Sequence, residues 1–441
     1  MVNLKGILRS LNKKQVRLFS TIYKDASELP IHEYAVSKKT YNRIFVWGHT
    51  KSGALGIPYI RTTESYDLMK DFHRPKRMGF GEKNEVTQVA CGFGFSLFST
   101  KNKYPDKLLY GTGLNTDSQI GYHDVRQGKP LEILFYPKPI ELPFKNTTKC
   151  EIKKIAAGRA HSLILTHEGL YLLGNNAYGQ CGRPIIQDED YSRSNYIHYI
   201  ENLDGKEIID IECGQDHSLA LTEDGCVYSC GWGADGQTGL GHYEIISTFT
   251  KIKGDISTER IVKLNSRCDF VMALNDKGEV FGWGNTEYGQ VILENNSQQL
   301  NTPTYLKMLK PLGKIIDIAA GGSFCMVLND DHRVFSWGFG LLGFGPNILQ
   351  CNEPTEIPEV LFGKNDFQPD NIVEKIYCGV GHSLALTSKG DLYSWGRNRN
   401  GCLGLGDEHD QYFPLKVCLG GIVKNVSCGI DHTIAVSKPF L

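Results

Sequence analysis

The stretch IIDIECGQDHSLALTEDGCVYSCGW, residues 208–232, decides the fold. Its two apolar runs, 208–222 and 226–230, flank the dipeptide Asp224-Gly225. A dipeptide ending in glycine between such runs is among the strongest sequence signals for a β-hairpin. The stretch IYCGVGHSLALTSKGDLYSWG at 376–396 repeats the pattern, with Lys389-Gly390 at the turn. The chain therefore contains more than one copy of a hairpin unit.

A glycine after a bulky residue closes each unit, and this pair recurs seven times. The glycines are Gly48, Gly111, Gly174, Gly233, Gly284, Gly338 and Gly396. The residues before them are Trp47, Tyr110, Leu173, Trp232, Trp283, Trp337 and Trp395, which places all five tryptophans in one register. The spacing runs from 51 residues, Gly233 to Gly284, to 63 residues, Gly48 to Gly111. Such a period indicates a repeat architecture, and four short strands in each of seven units predict an all-β, seven-bladed β-propeller.

The best repeats read WGxxxxGxLGxG and CGxxHSLALTxxGxxYSWG, and they resemble those of the regulator-of-chromosome-condensation (RCC) family. The likeness covers roughly residues 44–437. It implies an RCC-type propeller over 43–441, in which a first strand at 43–47 pairs with a last hairpin at 422–437 and closes the ring. The glycine content, 48 of 441 residues, is what many tight turns require.

The first nineteen residues differ in composition from the rest of the chain. They carry five basic side chains and no acid: Lys5, Arg9, Lys13, Lys14 and Arg17. Their apolar residues Leu4, Ile7, Leu8 and Leu11 fall on one face of a helix. This composition predicts a mitochondrial transit peptide over 1–19, cleaved near Phe19 or Ser20 and followed by a linker over 20–42. The alternative is a basic arm that contacts nucleic acid, as in the nuclear member of the family.

Cysteine and histidine recur at repeat positions, which argues against metal or catalytic chemistry. The cysteine position holds Cys91, Cys213, Cys378 and Cys428, and other repeats place alanine or serine there. The histidine position holds His161, His217, His382 and His432, and the remaining repeats place phenylalanine there. A position that accepts phenylalanine does not require an imidazole. The GxGxxG matches at 231–236 and 338–343 do not open a helix in a βαβ unit, so we expect no metal, no cofactor and no catalytic residue.

The turn after each Cys-Gly dipeptide varies, and loops on a rigid scaffold are where binding sites usually lie. In the family this turn supplies acidic contacts to a small GTPase, so the resemblance implies GTPase-facing residues here. They are Arg159, Asp216, Asp269 and Asp431. Arg267 joins them because the other six copies have glycine at its position, although drift in a degraded repeat is an equal alternative. Residues 183–207 match the place of the family's inserted wedge. The candidates in that segment are Asp188, Asp190 and Tyr191.

Charge supports a second prediction. The net charge is −1, and loss of the five basic residues in 1–19 leaves about −6, which argues against DNA binding. Residues 73–154 nevertheless hold fourteen Lys or Arg against eight Asp or Glu. The candidates for contact with RNA or anionic lipid are Arg74, Lys76, Arg77, Lys145, Lys149, Lys153 and Lys154. If they gather on one rim of the first two blades, they form a basic patch; the alternative is scattered, solvated charge.

Three functions follow as hypotheses. The first is a mitochondrial, non-catalytic regulator of a GTPase, acting either as a guanine nucleotide exchange factor or by holding one nucleotide state. Likeness to mitochondrial family members implies an inner-membrane dynamin-like fusion GTPase or a ribosome-linked GTPase, with peripheral membrane contact. The second is a factor that assembles the mitochondrial ribosome or binds its RNA. The third is a protein-interaction platform without exchange activity.

Overall fold

A computed structural model describes residues 42–57, 70–126, 128–147, 150–291 and 298–440. Within these residues the chain forms seven four-stranded antiparallel sheets and one two-stranded hairpin. This confirms the predicted all-β, seven-bladed propeller. The predicted transit peptide, all but the last residue of the predicted linker, and Lys149 lie outside the described residues. In the described part, no helix has the length and apolar character that crossing a bilayer requires.

The sheets are the blades of the propeller. In chain order the first strands are β1 (Arg43–Gly48) and β2 (Phe72–Arg77) of blade 7, then β3 (Val86–Cys91), β4 (Phe95–Thr100), β5 (Leu109–Leu114) and β8 (Ile133–Pro139) of blade 1, with the hairpin β6 (Asp124–Arg126) and β7 (Lys129–Pro130) between β5 and β8. Blade 2 has β9 (Ile152–Ala157), β10 (His161–Thr166), β11 (Leu170–Gly174) and β12 (His198–Ile200); blade 3 has β13 (Ile208–Cys213), β14 (His217–Thr222), β15 (Val227–Gly231) and β16 (Ile246–Lys251); and blade 4 has β17 (Ile261–Ser266), β18 (Phe270–Asn275), β19 (Val280–Asn285) and β20 (Gln299–Tyr305). Blade 5 has β21 (Ile315–Ala320), β22 (Phe324–Asn329), β23 (Val334–Phe339) and β24 (Gln350–Ile357); blade 6 has β25 (Val373–Cys378), β26 (His382–Thr387), β27 (Leu392–Gly396) and β28 (Gln411–Lys416); and β29 (Ile422–Cys428) and β30 (His432–Lys438) complete blade 7. Among the described residues one short α-helix, α1 (Gly79–Lys83), precedes blade 1.

Blade 7 joins the two ends of the propeller. Its strand order is β2-β1-β30-β29, so a strand from the beginning of the ring lies between two strands of its end. The pairing of β1 with β30 is continuous, from Arg43 opposite Ser437 to Gly48 opposite His432. The predicted closure of the ring by its terminal strands is confirmed.

One glycine per blade is required by the close approach of two backbones. These glycines are Gly48, Gly113, Gly174, Gly231, Gly284, Gly338 and Gly396, and their φ angles lie between +104° and +115°. A Cβ atom at any of them would lie 2.1–2.7 Å from a carbonyl oxygen of the turn between the first and second strands of the same blade. Both the φ angle and the contact exclude other residues, which explains why this glycine recurs.

The predicted register was wrong in two blades. In blade 1 the glycine opposite the aromatic position is Gly113, not Gly111, because Phe95 pairs with Gly113. In blade 3 it is Gly231, not Gly233, because His217 pairs with Gly231. Each of the two mistaken pairs, Tyr110-Gly111 and Trp232-Gly233, lies two residues away and imitates the motif.

Four of the five tryptophans fill the interfaces between blades. Trp47, Trp283, Trp337 and Trp395 are completely buried. The indole N–H of Trp337 donates to the carbonyl of Gln290 in blade 4 at 2.9 Å, and its ring packs with Phe270. Trp232 is the exception, since it lies in the loop after β15 and contacts the ring of Tyr178, with 4.7 Å between ring centroids. The core therefore lies between neighbouring blades.

The recurring histidines and cysteines are buried parts of these interfaces. His432 Nε2 lies 2.9 Å from Ser96 Oγ of blade 1, and His161 Nε2 lies 3.1 Å from Ser218 Oγ of blade 3. Burial lowers the pKa of His161 to about 4 and that of His432 to about 3, so both rings are neutral. Burial likewise raises the pKa of the Cys91 thiol to about 11. Among the described residues, no group of three or more His, Cys, Asp or Glu side chains is arranged to hold a metal ion.

Candidate protein-binding face

The antiparallel blades direct two kinds of connection to the same side of the ring. These are the turns between first and second strands and the loops between third and fourth strands, and we call this side the turn face. Arg159, Asp216, Asp269 and Asp431 all lie in its first turns, as the repeat positions predict. The opposite face carries the other connections, including the turn at Asp224-Gly225.

Arg159 of blade 2 and Asp216 of blade 3 form a two-pronged ion pair across the blade interface. The Arg159 Nη2–Asp216 Oδ2 distance is 2.9 Å and the Nε–Oδ1 distance is 3.0 Å. The Asp216 side chain is only 8% exposed, whereas that of Arg159 is 45% exposed. Burial raises the pKa of Asp216 even though Arg159 opposes the change. The guanidinium group thus holds a desolvated carboxylate at the surface of the turn face.

Asp269 of blade 4 continues this arrangement. It accepts a hydrogen bond from Gln237 Nε2 at 2.9 Å. Burial, and then repulsion by Asp235, raises its pKa from 3.8 to about 6. Asp117 of blade 1 lies near enough to raise the pKa of Asp216 as well. We call Asp117, Asp216, Asp235 and Asp269 the acidic cluster; the sequence analysis found two of its four members.

Neutral amides, in addition to Arg159, connect the acidic cluster. Asn175 Nδ2 donates to Asp117 at 2.7 Å, and Gln299 Nε2 donates to Asp235 at 3.0 Å. These donors lie in loops or at the start of a fourth strand, so the cluster extends over blades 1 to 4. Asp117 and Asp235 were missed because they lie in loops between third and fourth strands.

Asp431 belongs to a different part of the turn face. Its carboxylate lies 3.7 Å from Arg399 Nε of blade 6, and burial raises its pKa. The neighbouring Asp71 accepts from Asn400 Nδ2 at 2.8 Å and lies 3.3 Å from His49 Nδ1. The predicted candidate therefore lies among the side chains of blades 6 and 7, separate from the acidic cluster.

Arg267 points into the central channel of the ring. Its Nη1 donates to the carbonyl oxygen of Cys91, on the far side of the ring in blade 1, at 3.2 Å. Its Nε is buried without a hydrogen-bond partner. In the other blades a Cβ at this position would meet the aromatic ring that follows, as at Gly321 with Phe324 at 2.5 Å. Arg267 is thus a link across the channel, which differs from the GTPase-facing role expected of it.

Residues 183–207 are folded against blade 2. They include β12 and the link to β13, so only 183–197 form a loop. Arg183 Nη2 pairs with Glu189 at 2.5 Å, and Asp190 caps a short 3₁₀ turn by accepting from Ser192 N. Burial and Glu189 raise the pKa of Tyr191 to about 12. Asp188 is exposed with a φ of +57°. Asp190 and Tyr191 contact residues of the loop itself, and none of the three candidates is a member of the acidic cluster.

The basic candidates do not form one patch in the described part of the chain. Arg74, Lys76 and Arg77 lie on β2, the outermost strand of blade 7, whereas Lys145, Lys153 and Lys154 belong to blade 2 or the link before it. Four of the six are ion-paired: Arg77 with Glu82, Lys145 with Glu201, Lys153 with Glu207, and Lys154 with Asp210. Lys76 lies over the ring of Phe72 at 4.3 Å, and Arg74 packs against Gly406.

Lys154 is one of a series of charged residues around the central channel. The residue three positions before the end of each innermost strand is, from blade 1 to blade 7, Gln88, Lys154, Asp210, Lys263, Asp317, Lys375 and Asn425. Lys154 pairs with Asp210 at 2.5 Å, and Lys263 pairs with Asp317. Asp317 also accepts the backbone N–H of Ile376 in blade 6 at 3.0 Å. The channel encloses about 330 Å³.

Comparison with known proteins identifies the repeats. The Regulator of chromosome condensation (RCC1) repeat matches residues 41–99, 168–221, 277–328, 331–386 and 389–436. The chain belongs to the RCC1 repeat family. Within the RCC1 repeat family it is 43% identical to the mouse RCC1-like G exchanging factor-like protein, over 94% of this chain and 92% of that protein. The human protein of the same name is 42% identical, over 94% and 91%.

Solved RCC1-type structures share the fold. The crystal structure of human WBSCR16 superposes with a TM-score of 0.85 at 42% identity, covering 91% of this chain and all of that chain. The propeller of Prp20p from Saccharomyces cerevisiae, described with its binding to Gsp1p and histones, gives a TM-score of 0.72 at 19% identity over 91% and 92%. At that identity the second likeness concerns the fold alone.

Proposed function

We propose that this chain is a mitochondrial regulator of a GTPase, which it binds through the turn face and whose nucleotide exchange it promotes. The observation that carries the proposal is the acidic cluster, where Arg159 pairs with Asp216 while Asp117, Asp235 and Asp269 accept hydrogen bonds from neutral amides. The names of its 42–43% identical relatives, which are exchange-factor-like, support the same class of partner. The chain performs no bond chemistry of its own in this proposal.

The electrostatics of the cluster favour a basic partner. Burial raises the pKa values of Asp216 and Asp269, so each carboxylate lacks part of the solvation or pairing it would have in water. A lysine or arginine of a partner would supply that pairing, and such complementarity also accelerates association. Once docked, the propeller needs no acid or base. Displacing the phosphate- and magnesium-binding loops of the GTPase is enough to release nucleotide.

Release of a fluorescent guanine nucleotide from purified GTPases tests the proposal. The panel contains the inner-membrane dynamin-like GTPase and the ribosome-linked GTPases of mitochondria, each mixed with the full chain. We expect faster release for one of them, and at least about a tenfold loss of that acceleration with Asp216→Asn/Asp269→Asn. The matched control is Glu201→Gln/Glu207→Gln, which removes the same charge from the opposite face. Equal effects of both double variants would contradict the role of the turn face.

Binding without faster release would support the platform function instead. The proposal would be overturned if no GTPase of the panel bound the chain and none released its nucleotide faster in the presence of the chain. Capture from mitochondria with and without nuclease distinguishes the RNA hypothesis, for which only nuclease-sensitive ribosomal material should be recovered. The ion pairs of Lys145 and Lys153 with Glu201 and Glu207 leave that second function without a structural observation in its favour.

The mitochondrial part of the proposal rests on the composition of residues 1–19. Fusion of these residues to a fluorescent protein should direct it to mitochondria, and their deletion should leave the chain outside. A deletion variant that still enters mitochondria would contradict the transit-peptide prediction while leaving the GTPase proposal untouched.

A further inference from the structure

Blades 4 to 6 expose large apolar side chains on and beside the turn face. Tyr288, Phe339, Ile348, Leu349 and Phe413 are 37%, 37%, 44%, 45% and 44% exposed, and we call them the apolar rim. Residues 334–352 contain no Asp, Glu, Lys, Arg or His, although residues 346–350 of the loop are exposed. Exposed apolar residues that are neighbours, unlike scattered ones, commonly mark an interaction site.

Contacts between the blades join the members of the rim. The rings of Tyr288 and Phe339 stack with 6.1 Å between centroids. Gly340 N donates to the carbonyl of Leu349 at 2.8 Å, which places the two ends of the blade 5 loop side by side. A Cβ at Gly345 would lie 2.9 Å from the ring of Phe413. The rim is therefore continuous from blade 4 to blade 6.

Phe339 makes no side-chain hydrogen bond of the kind that blades 2 and 4 make at its position. The residue after the register glycine is Asn175 in blade 2 and Asn285 in blade 4. There the side-chain oxygen accepts a backbone N–H of its own loop, at 2.8 Å from Ala177 N and 3.0 Å from Glu287 N. Phenylalanine makes no such bond and leaves its ring partly in solvent. Blades 1 and 3 also place an apolar residue here, Leu114 and Trp232, and what distinguishes Phe339 is that its ring is 37% exposed and stacks on Tyr288.

The rim meets the acidic cluster in blade 4. Asn285 N donates to the backbone carbonyl of Asp269 at 2.8 Å, and Tyr288 follows in the same loop. A ligand lying across both features needs apolar groups at one end and positive charge at the other. An amphipathic polypeptide segment has this chemistry, with apolar side chains spaced along one face.

We propose that the apolar rim docks an amphipathic segment of the partner protein, whose basic side chains reach the acidic cluster. The inference deepens the proposed function and rests on it for the existence of a protein partner. The apolar side chains of the segment would cover Phe339 and Leu349, and its lysines or arginines would face Asp269 and Asp216. Anionic lipid is a poorer match, because its phosphates would be repelled by the same carboxylates.

The probe is a labelled peptide of about 18 residues, with Leu and Phe at helical spacing and Lys and Arg at one end. Its binding to the full chain is measured by fluorescence anisotropy. Phe339→Asn/Leu349→Gln should weaken binding at least about tenfold, as expected for the loss of central anchors. Asp216→Asn/Asp269→Asn should weaken it and reduce its dependence on salt. The matched control, Val360→Ser/Phe367→Ser, removes exposed apolar side chains from the opposite face and should change nothing.

Three results would overturn the inference. The first is unchanged peptide binding by the rim variant, with an unfolding curve like that of the wild type. The second is a chain that does not bind the peptide but binds phosphatidylcholine vesicles, with or without cardiolipin, and loses this vesicle binding in the rim variant. The third is a dimer of the chain that the rim substitutions dissociate. If the peptide binds at the rim but the chain neither binds a GTPase nor accelerates nucleotide release from one, the docking surface stands and only the proposed function is refuted.

Discussion

The carboxyl group of Asp269 lowers the stability of the free protein at neutral pH. Its pKa rises from 3.8 to about 6 in the folded state, through burial and repulsion by Asp235. Between those values the folded state binds more protons than the unfolded state. The contribution of this group to stability is therefore complete below about pH 4 and is lost as the pH rises through about 6. The change corresponds to about 3 kcal/mol at 1.36 kcal/mol for each pH unit.

The substitution Asp269→Asn removes this dependence while keeping an acceptor for Gln237. Because the side chain is only partly buried, we expect a gain of about 1–3 kcal/mol in the free energy of unfolding at about pH 7.5. The gain should shrink at about pH 5, where the wild-type carboxyl is largely protonated. Urea unfolding followed by tryptophan fluorescence measures both values, with Asp276→Asn on the opposite face as a control.

The same variant should bind a basic partner more weakly, so its stability and affinity should change in opposite directions. If Asp269 had only a structural role, its substitution would change stability and affinity in the same direction. A less stable Asn variant at about pH 7.5, or an equal gain at both pH values, would refute the electrostatic reasoning.

Three further substitutions test the fold. Gly284→Ala should lower the free energy of unfolding by about 2 kcal/mol or more, because its Cβ would lie 2.1 Å from a carbonyl oxygen at a φ of +107°. Gly79→Ala, with open space around it, should change stability little, and urea unfolding compares the two variants. Trp337→Phe should cost about 1–3 kcal/mol for a lost buried hydrogen bond, and Trp232→Phe, outside the register, should cost less in the same assay. Asp317→Asn should lower the melting temperature in low salt and less so in high salt, because it leaves the channel lysine it pairs with without a counter-charge.

The repeat predicted the fold because the register glycine cannot be replaced. Its φ angle and its contact with the neighbouring turn are the same in every blade, so the period survives where other positions drift. The phase failed at Tyr110-Gly111 and Trp232-Gly233 because a second glycine follows or precedes the required one by two residues. Because side chains of a strand alternate with a period of two, a glycine two residues away from the register glycine fits the same sequence pattern. Only the pairing with the second strand distinguishes the two glycines.

The candidate site was predicted in part for a related reason. Asp216 and Asp269 share a repeat position, and positions that coincide in sequence coincide on the face of the ring. Asp117 and Asp235 lie in loops whose lengths differ between blades, so no alignment of repeats brings them together. Lys154, predicted as a basic candidate for RNA or anionic lipid, lies on an innermost strand and lines the central channel. The net charge of a segment does not distinguish the two faces of a strand, so it could not reveal this position.

The charged residues around the central channel have a consequence for the number of blades. Signs alternate from Lys154 through Asp210, Lys263 and Asp317 to Lys375, but strict alternation cannot close on a circle of odd number, since two like charges must meet somewhere. In this ring the two neutral amides, Gln88 and Asn425, fill the positions between the two lysines that would otherwise be adjacent. Removing the blade of Asp210, Lys263 or Asp317 would bring two like charges together, whereas the two amides separate the lysines at the ends of the series. The amides thus allow an alternating series of charges to stand in a ring with an odd number of blades.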